Sequence, residues 1–130
     1  MQTIDSPVIW WLRRDLRLQD NPALAAALRS GRVVIPLFIW DPGLLRRSGE
    51  ARVNFLLDAL HALDGELRQR GSRLIVLRGD PISTLASFAR QAGAERIYAE
   101  EDYSPYARRR DQAAAQTVNL QLVLGLTAQH

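Results

Sequence analysis

Short apolar runs alternate with longer amphipathic segments along the whole chain. The first run, Val8–Leu12, is continuously apolar and rich in β-forming residues, which is typical of a strand that is covered on both faces. Each later run is short and bounded by glycine, proline or polar residues, as strands usually are. The pattern therefore predicts five strands, at residues 8–12, 33–40, 74–77, 97–99 and 120–124.

The segments between these runs have the spacing and the end signals of helices. Asn21 followed by Pro22 is a typical helix start, and Ser104 followed by Pro105 is another. The longest segment repeats apolar residues at three- and four-residue steps, so we expect one apolar stripe along it. The predicted helices cover residues 22–28, 50–70, 81–91 and 104–116, and residues 44–49 are expected to form an irregular loop.

Strand and helix alternate throughout, so each connection between strands contains a helix. This alternation is typical of a parallel sheet with helices on both faces. We therefore predict an α/β fold of one domain over residues 1–130: a three-layer sandwich with a five-stranded parallel sheet, Rossmann-like and doubly wound, in the order 3-2-1-4-5. Ligands of such sheets lie beyond the carboxyl ends of the strands, near the point where the strand order reverses.

Composition excludes several classes of site. The chain has no cysteine, which excludes a disulfide scaffold and a thiolate metal site. Its two histidines lie far apart, so we predict no metal site, and His61 is expected to pack partly buried in the long helix. The apolar runs are too short to cross a bilayer and the N-terminus is polar, so we expect a cytoplasmic protein with no membrane contact.

The residues that follow the predicted strands supply the candidate chemistry. No glycine-rich loop follows the first strand, where Arg13, Arg14 and Arg17 stand instead, and this disfavours a dinucleotide or NTPase site. Guanidinium groups suit an anionic, oxygen-rich ligand, although such charge runs more often form a solvated face. Phe38 and Asp41 add a ring and a carboxylate, whose ordinary roles are core packing and turn formation. With no catalytic set in the sequence, these residues indicate a binding module.

All 17 basic residues are arginine, against 14 acidic residues, which gives a formal net charge of +3. That modest excess does not by itself indicate nucleic-acid binding. Two further groups, Arg46 with Arg47 and Arg108 to Arg110, could attract phosphate non-specifically, an attraction that salt weakens steeply.

Several of these segments together resemble the opening of the DNA photolyase/cryptochrome family. The resemblance covers essentially the whole chain, with the segments in the family's order and spacing. It rests on WLRRDLRL at 11–18, DNPAL at 20–24, PLFIWDP at 36–42, RVNFL at 52–56, GSRL at 71–74, RGDP at 78–81 and YSPY at 103–106, followed by Arg108 to Asp111.

The resemblance implies the domain organisation of a longer protein. Members of the family begin with an α/β domain and continue into a helical domain that holds FAD and the damaged-DNA pocket. This chain is similar to the first domain only, with the FAD-binding helical domain absent. We therefore expect no catalytic residues and no repair activity from these residues alone, and damaged DNA would be a partner only through the full-length protein.

The resemblance also implies an antenna-chromophore site. In members with a deazaflavin or flavin antenna, the chromophore lies at the strand ends, and the matching residues here are Arg14, Phe38, Asp41, Arg52 and Asp102. Their side chains suit the task, because a ring can stack, guanidinium groups can balance an ionised oxygen, and carboxylates can accept ring protons. Members that bind methenyltetrahydrofolate commonly have an Asn-Glu pair where Tyr106 and Ala107 stand here, which disfavours a folate antenna.

Three hypotheses follow for the function. The first is an antenna-binding domain of a photolyase that harvests light for FAD-dependent repair of pyrimidine dimers. The second is the corresponding domain of a cryptochrome blue-light photoreceptor. The third is a stand-alone nucleotide- or flavin-binding α/β domain, which lacks its expected phosphate loop here. A domain without its helical partner is also expected to expose an apolar face that favours self-association.

Overall fold

A computed structural model of the chain describes residues 6–101, 109–112 and 120–123. Its strands are β1 Val8–Leu12, β2 Val34–Trp40, β3 Ile75–Arg78, β4 Arg96–Glu100 and β5 Leu120–Val123. Its helices are α1 Pro22–Arg29, α2 Pro42–Arg46, α3 Glu50–Gln69 and α4 Pro81–Ala92, and residues 109–112 are also helical.

The strands form a parallel sheet with neighbours in the order β3-β2-β1-β4. This confirms the predicted α/β class, the parallel sheet and the order of these four strands. The backbone of β5 runs parallel beside β4, with Leu120 opposite Ile97. The bounds of β2, β3 and β4 differ from the predicted ones by one or two residues, since the apolar run does not mark where pairing stops.

Chain direction places the helices on two faces. From β1 to β3, each new strand is added on the same side of the previous one. The chain then returns to the other side of β1 to form β4. Because connections between parallel strands are right-handed, α1 and α3 lie on one face of the sheet and α4 lies on the other. Accordingly Trp10 packs with α1 and α3, whereas Trp11 packs with α4. All five β1 residues are at most 2% exposed, which confirms a strand covered on both faces. The strand order reverses between β1 and β4.

Helix α3 is only partly covered by the described residues: its predicted apolar stripe is buried in the C-terminal half and more exposed in the N-terminal half. Its buried residues are Leu60, Leu63 and Leu67, all in the C-terminal half, while Phe55 is 74% exposed. Twenty helical residues span about 30 Å, whereas the seven residues of β2 span about 23 Å. Because α3 runs back along the sheet, its first turns extend past the strand ends.

The segment after β2 is helical over Pro42–Arg46, so the irregular loop predicted at 44–49 is wrong at 44–46, whereas residues 47–49 are not helical. Asp41 Oδ1 accepts a hydrogen bond from the Gly43 N–H at 2.9 Å, and Pro42 occupies the first helical position. Both features are typical helix-start chemistry, so residues taken for a turn open the short helix α2.

Some predictions lie outside the described residues. The helix predicted at 104–116 is described only at 109–112, where it is helical, and its proposed start at Ser104 and Pro105 is not covered. Among the described helices, none combines the length and apolarity that a membrane crossing requires.

We expect Asn21→Ala to lower the free energy of unfolding by about 2–4 kcal/mol. The Asn21 side chain caps α1 by accepting from the Leu24 N–H at 3.0 Å, and its amide donates to buried Asp15. The variant therefore loses a cap, worth about 1 kcal/mol, and leaves a buried carboxylate with fewer donors. Urea unfolding followed by circular dichroism measures the change.

Asp80→Ala is the matched control, since Asp80 caps α4 from an exposed position by accepting from the Ser83 N–H at 3.0 Å. It should cost about 1 kcal/mol, the value of a cap alone. Equal losses in the two variants would show that the Asn21–Asp15 contact adds nothing.

Candidate functional site

The loop between β1 and α1 folds around one buried carboxylate. Asp15 is 2% exposed, and its Oδ1 accepts a hydrogen bond from the Arg13 N–H at 3.0 Å. Its Oδ2 accepts from the side-chain amide of Asn21 at 3.0 Å, and its main-chain carbonyl accepts from the Arg17 N–H at 2.8 Å. Residues 13–21 are therefore ordered by side-chain contacts at a place where nucleotide-binding folds use glycines.

Three arginines of this loop are close in sequence but differ in burial and in their contacts. Arg13 turns inward: its side chain is 7% exposed, forms an ion pair with Asp111 and donates to the main-chain carbonyl of Glu100. Arg17 donates to the Asp20 carbonyl at 3.0 Å and lies 3.6 Å from the Glu100 carboxylate. Arg14 is exposed. The expectation of a solvated arginine face is thus wrong for Arg13 and fits Arg14.

A tryptophan ring lies between two guanidinium groups at the same place. Arg13 Cζ is 5.0 Å and Arg110 Cζ is 5.3 Å from the ring centroid of Trp11. Arg110 Nε also lies 3.6 Å from the Asp111 carboxylate. These contacts attach helical residues 109–112 to the end of β1. In the sequence, Arg110 belongs to a group that could attract phosphate, and its contacts with Trp11 and Asp111 were not predicted.

Glu100 ends β4, next to the point where the strand order reverses. Its burial raises the pKa of the carboxyl group above the ordinary value of 4.5, and the nearby Asp15 carboxylate raises it further. Arg17 and Arg13 oppose both effects. Because burial favours the neutral form of a carboxyl group, the ionised form of the Glu100 side chain is destabilised in the folded protein. Arg17 and Arg13 offset this effect only in part.

Phe38 and Asp41 lie at the end of the neighbouring strand, and both also have structural roles. Phe38 lies opposite Leu12 on β1, is 7% exposed, and meets Trp40 edge to face with centroids 6.4 Å apart. Asp41 follows β2 directly and caps α2. The side chains of these residues therefore present a ring edge and a carboxylate at the carboxyl edge of the sheet.

The structure brings four of the five predicted site residues to one edge. Arg14 follows β1, Phe38 and Asp41 end β2, and exposed Arg52 lies in the first turn of α3, which begins at that edge. Asp102 lies outside the described residues. Parallel neighbours end at the same edge, which is why residues far apart in sequence converge there.

A hollow of about 190 Å³ lies between α3 and the edge strand β3, and sequence reasoning missed it. His61 lines it and is exposed, which corrects the expectation of partly buried packing. His61 lies on the outward side of α3, where the helical period carries it away from Leu60 and Leu63. No group of three histidine or acidic side chains within the described residues could hold a metal ion.

Comparison with known proteins identifies relatives of the whole chain. The family model described as DNA photolyase matches residues 8–125. The deoxyribodipyrimidine photo-lyase of Synechococcus sp. is 41% identical over 123 residues, covering 91% of this chain and 25% of that protein. Cryptochrome-2 of Gallus gallus is 41% identical over 107 residues, covering 81% of this chain and 18% of that protein.

A solved structure has the same fold over most of the chain. The archaeal photolyase from Sulfolobus tokodaii matches with a TM-score of 0.84 and 35% identity, covering 91% of this chain and 29% of that one. That structure is described as holding two FAD molecules, with the implication of a novel light-harvesting cofactor. The chain spans between 18% and 29% of the length of these three relatives.

We expect Arg13→Gln to lower the free energy of unfolding by about 3 kcal/mol, because it leaves the 4%-exposed Asp111 carboxylate with only the more distant Arg110 as a cation. Arg14→Gln, at the adjacent exposed position, should change it by less than about 1 kcal/mol. Urea unfolding of both variants measures the difference. Similar losses would contradict the inward and outward assignment of the two guanidinium groups.

Glu100→Gln should stabilise the protein at neutral pH relative to the wild type. A pKa raised in the folded state contributes stability below the ordinary value of 4.5, and that contribution is lost as the pH rises through the raised value. The advantage of the variant should therefore grow between about pH 4 and pH 7. Denaturant unfolding across this range measures it, with exposed Glu66→Gln as a control that should show no such trend.

Proposed function

Because the chain belongs to the DNA photolyase family, we propose that it is the antenna-chromophore-binding α/β domain of a deoxyribodipyrimidine photolyase. In this role it absorbs light and passes the excitation to FAD in a second, helical domain, which reverses pyrimidine dimers in DNA. The match over residues 8–125 and the partial coverage of longer relatives support this assignment. Repair then requires the full-length protein, and the chain alone has none.

One observation carries the antenna assignment: Arg14 is exposed at the carboxyl edge of the sheet, on the same loop where the Arg13 side chain is buried. Arg13 is held by Asp111 and Glu100, and Arg17 by Asp20 and Glu100. The loop therefore exposes the Arg14 side chain at the edge where ligands of parallel sheets bind, while the Arg17 side chain is 42% exposed. Arg52 adds a second exposed cation at the same edge.

We assign the site to Arg14, Phe38, Asp41, Arg52 and Asp102, with a deazaflavin or flavin as the ligand. The two arginines balance an ionised ring oxygen or a phosphate, and the two carboxylates accept from ring N–H or hydroxyl groups. Phe38 is 7% exposed, so only a small part of its surface is open to the ligand. The charged groups therefore carry most of the affinity.

The complete domain, in this proposal, is the five-stranded doubly wound sandwich, and the register of β5 against β4 supports it. Its principal partner is the FAD-binding helical domain. Phe55 is 74% exposed and Val76 is 48% exposed, and such apolar surface fits either that domain or a second copy of the chain.

A second candidate is the corresponding domain of a cryptochrome. It is favoured by Cryptochrome-2 of Gallus gallus, whose 41% identity equals that of the Synechococcus photolyase. A repair assay on the longer protein distinguishes the two. Reversal of pyrimidine dimers under blue light favours the photolyase, and its absence favours the photoreceptor.

Titration of the chain with a deazaflavin, and separately with FMN, tests the antenna site through quenching of ligand fluorescence. Arg52→Gln should weaken binding by about 10- to 100-fold, because a charge-assisted hydrogen bond contributes about 1.5–3 kcal/mol. Arg70→Gln is the matched control at the opposite end of α3 and should bind as the wild type does.

Two outcomes would overturn the assignment. The first is that neither ligand changes its fluorescence at high micromolar protein. The second is that Arg52→Gln and Arg70→Gln weaken binding equally. Circular dichroism and the thermal midpoint of each variant show that the fold is retained.

A further inference from the structure

The net positive charge of the described residues is concentrated at one end of the sheet. The helices run antiparallel to the strands, so their C-termini and the turns that follow them lie where the strands begin. We call this end the amino edge. Among the described residues it carries seven arginines against three acidic residues: Arg29, Arg32, Arg68, Arg70, Arg73, Arg90 and Arg96 against Asp64, Glu66 and Glu95.

The carboxyl edge, in contrast, is nearly balanced. Among the described residues it carries nine arginines and eight acidic residues. These are Arg13, Arg14, Arg17, Arg46, Arg47, Arg52, Arg78, Arg109 and Arg110, with Asp15, Asp20, Asp41, Glu50, Asp80, Glu100, Glu101 and Asp111. Among the described residues, the amino edge therefore has a net charge of +4 and the carboxyl edge a net charge of +1.

Three arginines of the amino edge have no acidic partner among the described residues. Arg29, Arg73 and Arg90 are exposed, and no hydrogen bond or ion pair joins them to another described residue. By comparison, Arg68 is paired with Asp64 at 2.8 Å. Arg29 and Arg90 lie in the last turns of α1 and α4, where a cation favours the helix dipole. Arg73 lies in a turn outside any helix, so the dipole does not account for it.

From this distribution we propose that the amino edge binds the phosphate backbone of nucleic acid, independently of sequence and of any lesion. Guanidinium groups fit phosphate oxygens with paired hydrogen bonds, and every basic residue of the chain is arginine. Arg29 and Arg73 lie on one face of the sheet with α1 and α3, and Arg90 lies on the other with α4. The surface therefore crosses the full thickness of the fold and suits an extended polyanion.

The proposed surface lies at the opposite end of the strands from the antenna site, so both can be occupied together. It does not rest on the proposed chromophore, and it concerns the chain itself rather than a lesion pocket in another domain. Such binding is expected to be weak and salt-dependent, with a Kd of about 10⁻⁴–10⁻⁶ M.

Fluorescence anisotropy with a labelled, undamaged DNA duplex of about 20 base pairs tests the proposal. If the three unpaired arginines each neutralise one phosphate, affinity should fall by about 40-fold between 50 and 200 mM salt. The triple variant Arg29→Gln, Arg73→Gln and Arg90→Gln should bind at least about tenfold more weakly at 50 mM salt, with a salt slope shallower by about 2.7. A duplex carrying a pyrimidine dimer should bind equally well.

The control is the triple variant Arg46→Gln, Arg47→Gln and Arg78→Gln, which removes the same charge from the carboxyl edge. It should retain at least half of the wild-type affinity. Equal weakening by both triple variants, no binding at 50 mM salt, or equally tight binding of poly-glutamate would each overturn the proposal. Replacing the three amino-edge arginines by lysine should preserve the salt slope, which separates loss of charge from loss of folding.

Discussion

The structure of the carboxyl edge depends on the contacts of one buried guanidinium group, that of Arg13. It joins three parts of the chain: the end of β1, the main chain at the end of β4, and Asp111 in the helical residues that follow. It also stacks on Trp11, so its charge is compensated on one side by a carboxylate and on another by a ring. With Arg13 and Asp15 both engaged, the loop has one orientation, and that orientation leaves Arg14 outward.

Much of the fold could be predicted because its signals are local. Apolar runs, helix starts such as Asn21-Pro22 and the stopping glycines need only neighbouring residues, and they predict the alternation and the order β3-β2-β1-β4. The extent of burial could not be predicted in the same way. The first half of α3 has apolar spacing, but whether it is covered depends on how far the strands reach beneath it.

The candidate site could likewise be predicted only in part: its location follows from the topology, whereas the burial of its side chains depends on distant contacts. Topology alone predicts that residues after β1 and β2 converge at one edge. Which of two adjacent arginines is exposed at this edge depends on a partner 98 residues away in sequence, and no spacing within the Arg13–Arg17 segment contains that information. Phe38 likewise has the right type and place for stacking, while the depth of its ring follows from packing against α3 and Trp40.

The uneven distribution of charge constrains how the carboxyl edge can hold an anion. The strands separate the two edges by about 17–23 Å, which exceeds the screening length of about 10 Å at 0.1 M salt. The positive amino edge therefore contributes little to attraction at the carboxyl edge, where acidic residues nearly match the arginines. In the proposed antenna site, short-range contacts with individual guanidinium groups would hold an anionic chromophore. Under that proposal, recognition depends on the exposed position of Arg14 and on the buried contacts that orient its neighbour Arg13.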